Sequence, residues 1–480
     1  MIVLERHVAQ LFRAALRRCV DAPSTRADRV PVLLRDGKNG LMMHARQEEF
    51  AVMYSQPGPE GKEVLAFPAS SLGLIEGKSQ EPIELVALEP GKAAARWVDK
   101  GVHLEIDFPV IESDKVAIPP ALPKEFAPMP VRFLTALHEA SRTASQAPTK
   151  YSIHRVLLRG KTGEILATDT HQLLIQSGFK FPFQEDLLIP RSGVFGLPAL
   201  APANEIGIGR TDTHVAIRVG RWIFAFLIDA KGRFPDATGL VPRTSSATTR
   251  FRLDPEDAEF FMRMLTQRLR GPKAKDLALT LDLNETPCFR FDVKGRTTDI
   301  VLPRSQVTGK AIRLCIDLKR FLRAIELQFS EFEIYDADKP LVARDDQRVY
   351  LAMTALSKDA LAPRDDALRL VPIDEPTSRA VAVRPTRPRV PQPLVPVEPS
   401  RATETIVVLP AHGPLQSHEH HPLDVFAEAE GLRSAVVKAA THAGRLLQLL
   451  RTVCSQPNVM QTMRNSLHAL THPSSEEQHR

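Results

Sequence analysis

Trp222-Ile223-Phe224-Ala225-Phe226-Leu227-Ile228-Asp229-Ala230-Lys231-Gly232-Arg233-Phe234-Pro235-Asp236-Ala237-Thr238-Gly239-Leu240-Val241-Pro242-Arg243 is the stretch on which the reading of this chain turns. Trp222 to Ile228 reads as a strand. Gly232 to Asp236 follows as a turn with an aromatic anchor, and then comes Leu240-Val241-Pro242. Some sixty residues earlier stands a second distinctive run, Ala167-Thr168-Asp169-Thr170-His171-Gln172-Leu173.

Outward from these two runs the chain repeats itself. Amphipathic helix patterns begin near residues 5, 130 and 254. The first, Glu5 to Arg18, puts Val8, Leu11, Phe12 and Ala15 on one face; the second, Pro130 to Gln146, does so with Phe133, Leu134 and Leu137. The third, Asp254 to Arg270, uses Phe260, Phe261, Met264 and Leu265, with Asp254-Pro255 as its start signal. A shorter helix pattern recurs at Phe67 to Leu72, Ile189 to Phe195 and Ile316 to Leu322, and alternating strand-like runs lie between. Units of this length suit a tandem array of whole domains, because solenoid repeats are shorter.

The chain has 480 residues, room for about three cores, and a formal charge of +6 that permits nucleic-acid binding without requiring it. No apolar run reaches the roughly 18 residues of a membrane span. The N-terminal residues become charged too early for a secretory signal. The 4 cysteines, Cys19, Cys288, Cys315 and Cys454, are far apart and read as unpaired thiols of a cytoplasmic protein.

In this order and spacing, the two opening runs resemble the bacterial sliding clamp family, the β subunit of DNA polymerase III. The first is similar to the end of that family's middle domain, and 167–173 to its Ala-Thr-Asp-Gly-His-Arg-Leu signature. Toward the end, Leu314 to Leu322, Phe332 to Tyr335, Lys339 to Val342 and Val349 to Met353 follow the order of the family's last helix and closing strands. The resemblance implies an α+β fold of three tandem clamp domains, 1–125, 126–245 and 246–357, with helices lining a ring and sheets outside. A proline-rich linker, 358–422, and a helical appendage, 423–470, complete the expected organisation. It further implies a homodimeric ring around double-stranded DNA, closed through edge strands near Val102 to Phe108 and Thr297 to Leu302. DNA polymerase and a clamp loader are the implied partners, and no cofactor, metal or catalytic residue is implied.

A lining that slides on phosphates needs positive charge and no base readout. Candidates on the helices are Arg6, Arg13 and Arg17, Arg132 and Arg142, and Arg263 and Arg270. At the expected hole edge stand Arg26, Arg29, Lys150 and Tyr151. Basic residues on an amphipathic helix otherwise simply solvate it. The resemblance also implies a pocket for a partner's hydrophobic peptide at Thr168, Thr170, His171, Gln172, Leu173, Pro242, Val342 and Met353. Here the chain departs from the pattern. Thr170 stands where the family has glycine and Gln172 where it has arginine, and Thr354-Ala355-Leu356 replaces the usual proline, apolar and basic ending.

Enzyme readings find little support. Asp169 and His171 sit two residues apart and need not converge. Gly37-Lys38-Asn39-Gly40 is a turn, and no phosphate-binding loop motif occurs. His418-Glu419-His420-His421 lies beside Pro422 and reads as a solvated segment. From Pro363 to Pro422 prolines recur without hydrophobic period, the pattern of an extended linker. Apolar residues then return at helical spacing from Leu423 to Thr452. The function expected is processivity in replication or repair. The alternative is a diverged clamp paralogue acting as a non-catalytic scaffold through its tail.

Overall fold

The computed structural model describes residues 1–19, 24–201, 203–268, 277–293 and 295–372. Arg270, Cys454, the proline-rich stretch beyond 372 and the expected appendage at 423–470 lie outside the described residues. Among the described residues an α+β pattern of one long helix followed by antiparallel strands recurs three times.

The long helices form where the apolar spacing predicts them. Arg6–Cys19 buries Val8, Ala9, Phe12, Ala15 and Leu16, and Arg132–Thr143 buries Phe133, Leu134, Leu137 and Ala140. Pro255–Arg268 buries Phe260, Phe261 and Leu265. These are stripes at three- and four-residue spacing laid on sheets. Asp257, in the first turn of the third helix, is 0% exposed; its carboxylate accepts from the Ser305 hydroxyl and from the backbone N–H groups of Arg304 and Ser305. The shorter helix pattern is realised unevenly. It gives Leu318–Glu326, capped by the Asp317 carboxylate on Lys319 N–H, and the single turn Leu72–Ile75. In the middle unit it gives only two 3-10 turns, Val194–Gly196 and Pro198–Leu200. Proline lacks the N–H that a continuing helix needs, and the glycines favour other conformations. Gly196 has a packing reason as well, since a Cβ there would sit 2.3 Å from the His138 ring.

Strand pairing joins the units. Phe50–Gln56 of the first pairs antiparallel with Trp222–Leu227 of the second, making one sheet of eight strands. Gln172–Gln176 of the second pairs antiparallel with Arg348–Ala352 of the third, making one of nine. The first informative sequence run therefore contains one junction strand, and the second ends at Gln172-Leu173 where the other begins. Burial on both faces explains why Trp222–Leu227 reads as a continuous apolar segment. At the first junction Trp222 lies 4.8 Å from Tyr54 and 5.9 Å from Phe12, ring centre to ring centre.

Two further sheets complete the body. In the first unit Ile2–Glu5, Pro82–Glu89, Lys92–Asp99 and Val102–Pro109 lie in that order, with Val102–Pro109 at an edge. In the third unit the order is Ile312–Asp317, Ala278–Leu283, Cys288–Val293, Arg296–Val301 and Leu368–Leu370. The last of these pairs parallel with Arg296–Val301. The sequence reading begins the linker at 358, but residues up to 370 stay on the third unit. Ala355 N–H donates to Cys315 O, Leu361 N–H to the Thr280 hydroxyl at 2.8 Å, and Arg290 to Leu361 O at 3.1 Å.

Candidate functional site

The turn joining Glu164–Thr168 to Gln172–Gln176 is built by its own polar side chains. Thr168 Oγ1 donates to Gln172 O at 2.6 Å and accepts from Thr170 N–H, while the Asp169 carboxylate accepts from His171 and Gln172 N–H at 2.9 Å. Asp169 and His171 thus form an Asx-type turn through the His171 backbone. Thr170 has φ 80°. A β-branched residue is strained there where glycine is not, so the departure noted at this position is a departure in backbone energy as well as in size.

Alternation along the strand separates the peptide-pocket candidates. Leu173 and Val342 join Leu157, Leu188, Tyr335 and Leu351 in one apolar cluster, with Phe234 and Val241 packed against it. Pro242 is tied to this side, its carbonyl accepting from Arg344 at 2.6 Å. Gln172 faces the other way. Its amide donates to Asp169 and accepts from the Tyr350 hydroxyl at 2.8 Å. His171 and Met353 meet through a backbone bond of 2.8 Å, Met353 being 39% exposed. Thr168 is buried. The cluster members Leu157, Tyr335, Phe234 and Leu351 escaped the sequence reading, although pairing of Leu173 with Leu351 follows once the strand register is known. Beside them a cleft of about 530 Å³ is lined by Leu157, Arg159, Leu188, Phe234, Pro235 and Asp236, among others.

Most basic helix candidates are engaged within the chain. Arg6 bonds to the carbonyls of Ile75 and Glu76 and lies 5.1 Å from the Trp97 ring. Arg13 pairs with Glu76 at 2.7 Å, and Arg17 with Asp28 at 3.1 Å. Arg132 donates to Ser177 O and Gly178 O and stacks 4.2 Å over Phe179. Arg142 pairs with Glu326 at 2.7 Å, next to Arg323, which holds Glu139. Arg26, Arg29, Lys150, Tyr151 and Arg263 are exposed. Arg263 lies 5.8 Å from the Phe260 ring. Arg26, Arg29 and Lys150 make no side-chain hydrogen bond or ion pair among the described residues.

Four histidines, His44, His138, His154 and His214, are held toward the neutral form. Burial, reinforced by Arg35, pushes His44 down to about 4. Burial also lowers His138, against the pull of the Glu139 carboxylate, and lowers His154 and His214. Each is neutral in the folded chain where its unfolded form begins to charge. The unfolded state therefore binds more protons below pH 6.5, and stability falls as pH drops from about 6.5 toward 4. His44 alone is expected to remove on the order of 1–2 kcal/mol over that window, allowing for residual solvation. Denaturant midpoints at pH 7, 5.5 and 4.5 check this, with His44→Gln flattening the profile. A profile unchanged by His44→Gln would contradict the assignment.

Among the described residues no group of three His, Cys, Asp or Glu side chains is placed to hold a metal ion. No helix there is long and apolar enough to cross a membrane.

The architecture defines a class: three tandem units whose junction strands fuse neighbouring sheets. Solved structures that superpose on it include bacterial sliding clamps. The clamp of Bacillus subtilis superposes with a TM-score of 0.61 at 15% identity, over 74% of this chain and 98% of that one. The DNA polymerase III subunit beta of Borrelia burgdorferi gives 0.61 at 12%, over 74% and 97%. The sliding clamp of Pseudomonas aeruginosa gives 0.59 at 17%, over 74% and 99%. This chain therefore has the sliding-clamp fold, in a strongly diverged sequence. No protein-family model matches it, and neither does any curated protein.

Proposed function

We propose that this protein is a DNA clamp: two copies, head to tail, close around duplex DNA and tether a polymerase without themselves catalysing a reaction. The observation that carries the reading is coverage. The likeness extends over 97–99% of the clamp chains, so all three units are present in order. Exposed Arg26, Arg29, Lys150 and Arg263 supply mobile positive charge for phosphates. Tyr151, 47% exposed, offers a ring beside Lys150. The apolar cluster around Leu173 and Val342, with Met353 and His171 at its rim, is the proposed seat of a polymerase or loader peptide. The setting is cytoplasmic.

The test is topological. Purified protein is loaded on closed circular duplex DNA and the circle is then cut. Retention before cutting and release after it is the expected result; equal retention on both forms would sink the ring reading. The grip itself is expected to be loose, because carboxylates already neutralise Arg13 and Arg17. Asp28→Asn frees Arg17 while Arg13 keeps Glu76, so the slope of log affinity against log salt should steepen by about one. An unchanged slope would show that this helix does not meet phosphate.

A further inference from the structure

The strand Leu368–Leu370 occupies a sheet edge that a second chain would otherwise find open. An edge strand presents unpaired N–H and C=O groups and is a template for pairing with another chain. The body has two such edges of interest. One, Val102–Pro109, is eight residues long and carries exposed Val102 and Leu104. The other, Arg296–Val301, is six residues long and is covered by the chain itself.

The cover is built from a continuous run of contacts. Thr354 bridges to Ile316 on the first strand of the sheet, and Ala355 N–H donates to Cys315 O. Ser357 is anchored by Asp338. Leu361 then meets Thr280 on the second strand and Arg290 on the third. Finally Leu368, Arg369 and Leu370 align with Thr298, Asp299 and Ile300 on the fourth. The segment crosses every strand of the sheet and then joins it. Thr280 and Arg290, both polar, are 1% and 3% exposed. Leu370 packs on the core of the third unit.

We propose that residues 354–370 form a strap whose last strand competes with a second copy of this chain for the Arg296–Val301 edge, so that assembly of two copies requires the strap strand to leave. The proposal rests on the ring reading above and names the regulation of its closing surface. The competing lengths frame the contest. The strap offers three residues in parallel pairing. The open Val102–Pro109 edge of another copy can offer six or more in antiparallel pairing, and antiparallel pairs are slightly more stable per residue. The strap has the advantage of tethering, which gives it an effective concentration in the millimolar range. Dilute chains therefore keep the edge covered, and the apparent affinity between copies is lowered by the uncovered fraction.

The test uses the full chain in three forms: unchanged, carrying Leu368→Pro with Leu370→Asp, and carrying Thr298→Cys with Leu368→Cys. Thr298 and Leu368 are direct partners, so the cysteine pair can lock the strap under oxidation and free it under reduction. Mass is followed by light scattering over a dilution series, with hydrogen exchange of the 296–301 amides. The uncovered variant is expected to form two-chain particles at a concentration at least about tenfold lower than the unchanged chain. Its edge amides should exchange quickly when dilute and become protected on assembly. The oxidised lock should stay single at every concentration and assemble after reduction, which keeps the test valid if the proline variant misfolds. Identical dilution curves for unchanged and uncovered chains would overturn the proposal, as would assembly of the oxidised lock or assembly without edge protection. Failure of the ring reading looks different: the uncovered variant assembles with edge protection but leaves circular and linear DNA alike.

Discussion

Arg290→Ala is expected to destabilise the third unit by about 3–5 kcal/mol, because it removes one partner from a buried charge cluster. The Arg290 side chain is 3% exposed and forks onto Asp299 at 2.8 and 3.1 Å. It also reaches Asp282 at 3.1 Å and donates to Leu361 O. Burial opposes its charge, yet the bonds to Asp299 and Asp282 outweigh that and hold its pKa above the ordinary arginine value. Without the guanidinium, Asp299 loses its ion-pair partner and keeps only Arg369 aligned with it on the strap strand, whereas Asp282 keeps Arg313 at 2.9 Å. Replacing both members, Arg290→Met with Asp299→Leu, should therefore recover much of the loss. Urea midpoints of the single and double variants measure this, and a single-variant loss below about 1 kcal/mol would show that the cluster is solvated. Loss of the Leu361 contact also predicts faster proteolysis within 358–367.

Phe289→Ala is expected to cost a similar amount, about 3–5 kcal/mol, by a different route. Phe289 precedes Arg290 on the same strand and so faces the opposite side of the sheet. It is 0% exposed and lies 4.9 Å from Phe261, 5.0 Å from Phe321 and 5.8 Å from Phe251, all edge-on. Truncation leaves a void bordered by three rings held by two helices and a strand of the nine-stranded sheet, which cannot all close in. Phe289→Leu keeps most of the volume and should lose less than about 1.5 kcal/mol. Near-equal losses for the two variants would mean that ring geometry, not volume, dominates. Both predictions concern the unit that bears the covered edge. Their effects on assembly should accordingly be read only under conditions where each variant is folded.

Much of this architecture was legible in the residues. The three long helices announced themselves because each buries one apolar stripe, and a stripe is a local property. Trp222–Leu227 was legible as a strand because burial leaves an uninterrupted apolar run, but its pairing with Phe50–Gln56 was not. The spacing at 189–195 predicts a short helix, but Gly193, Gly196 and Pro198 leave only two 3-10 turns there. The helix arginines were visible, but not their carboxylate partners: Glu76 lies 63 residues from Arg13 and Glu326 lies 184 from Arg142. Nor does the sequence show that Gln172 turns away from Leu173 toward Tyr350, which depends on the pairing of strands from two units.

By itself, then, the sequence determined the three long helices and the strand Trp222–Leu227 with the turn after it, because periodicity and turn chemistry act within a few residues. Only the tertiary structure decided which charges remain available and that Leu368–Leu370 covers an edge. Three residues between charged and proline-containing neighbours carry no readable period. Their place is set by register against a strand some seventy residues earlier, and that is a property of the assembled sheet.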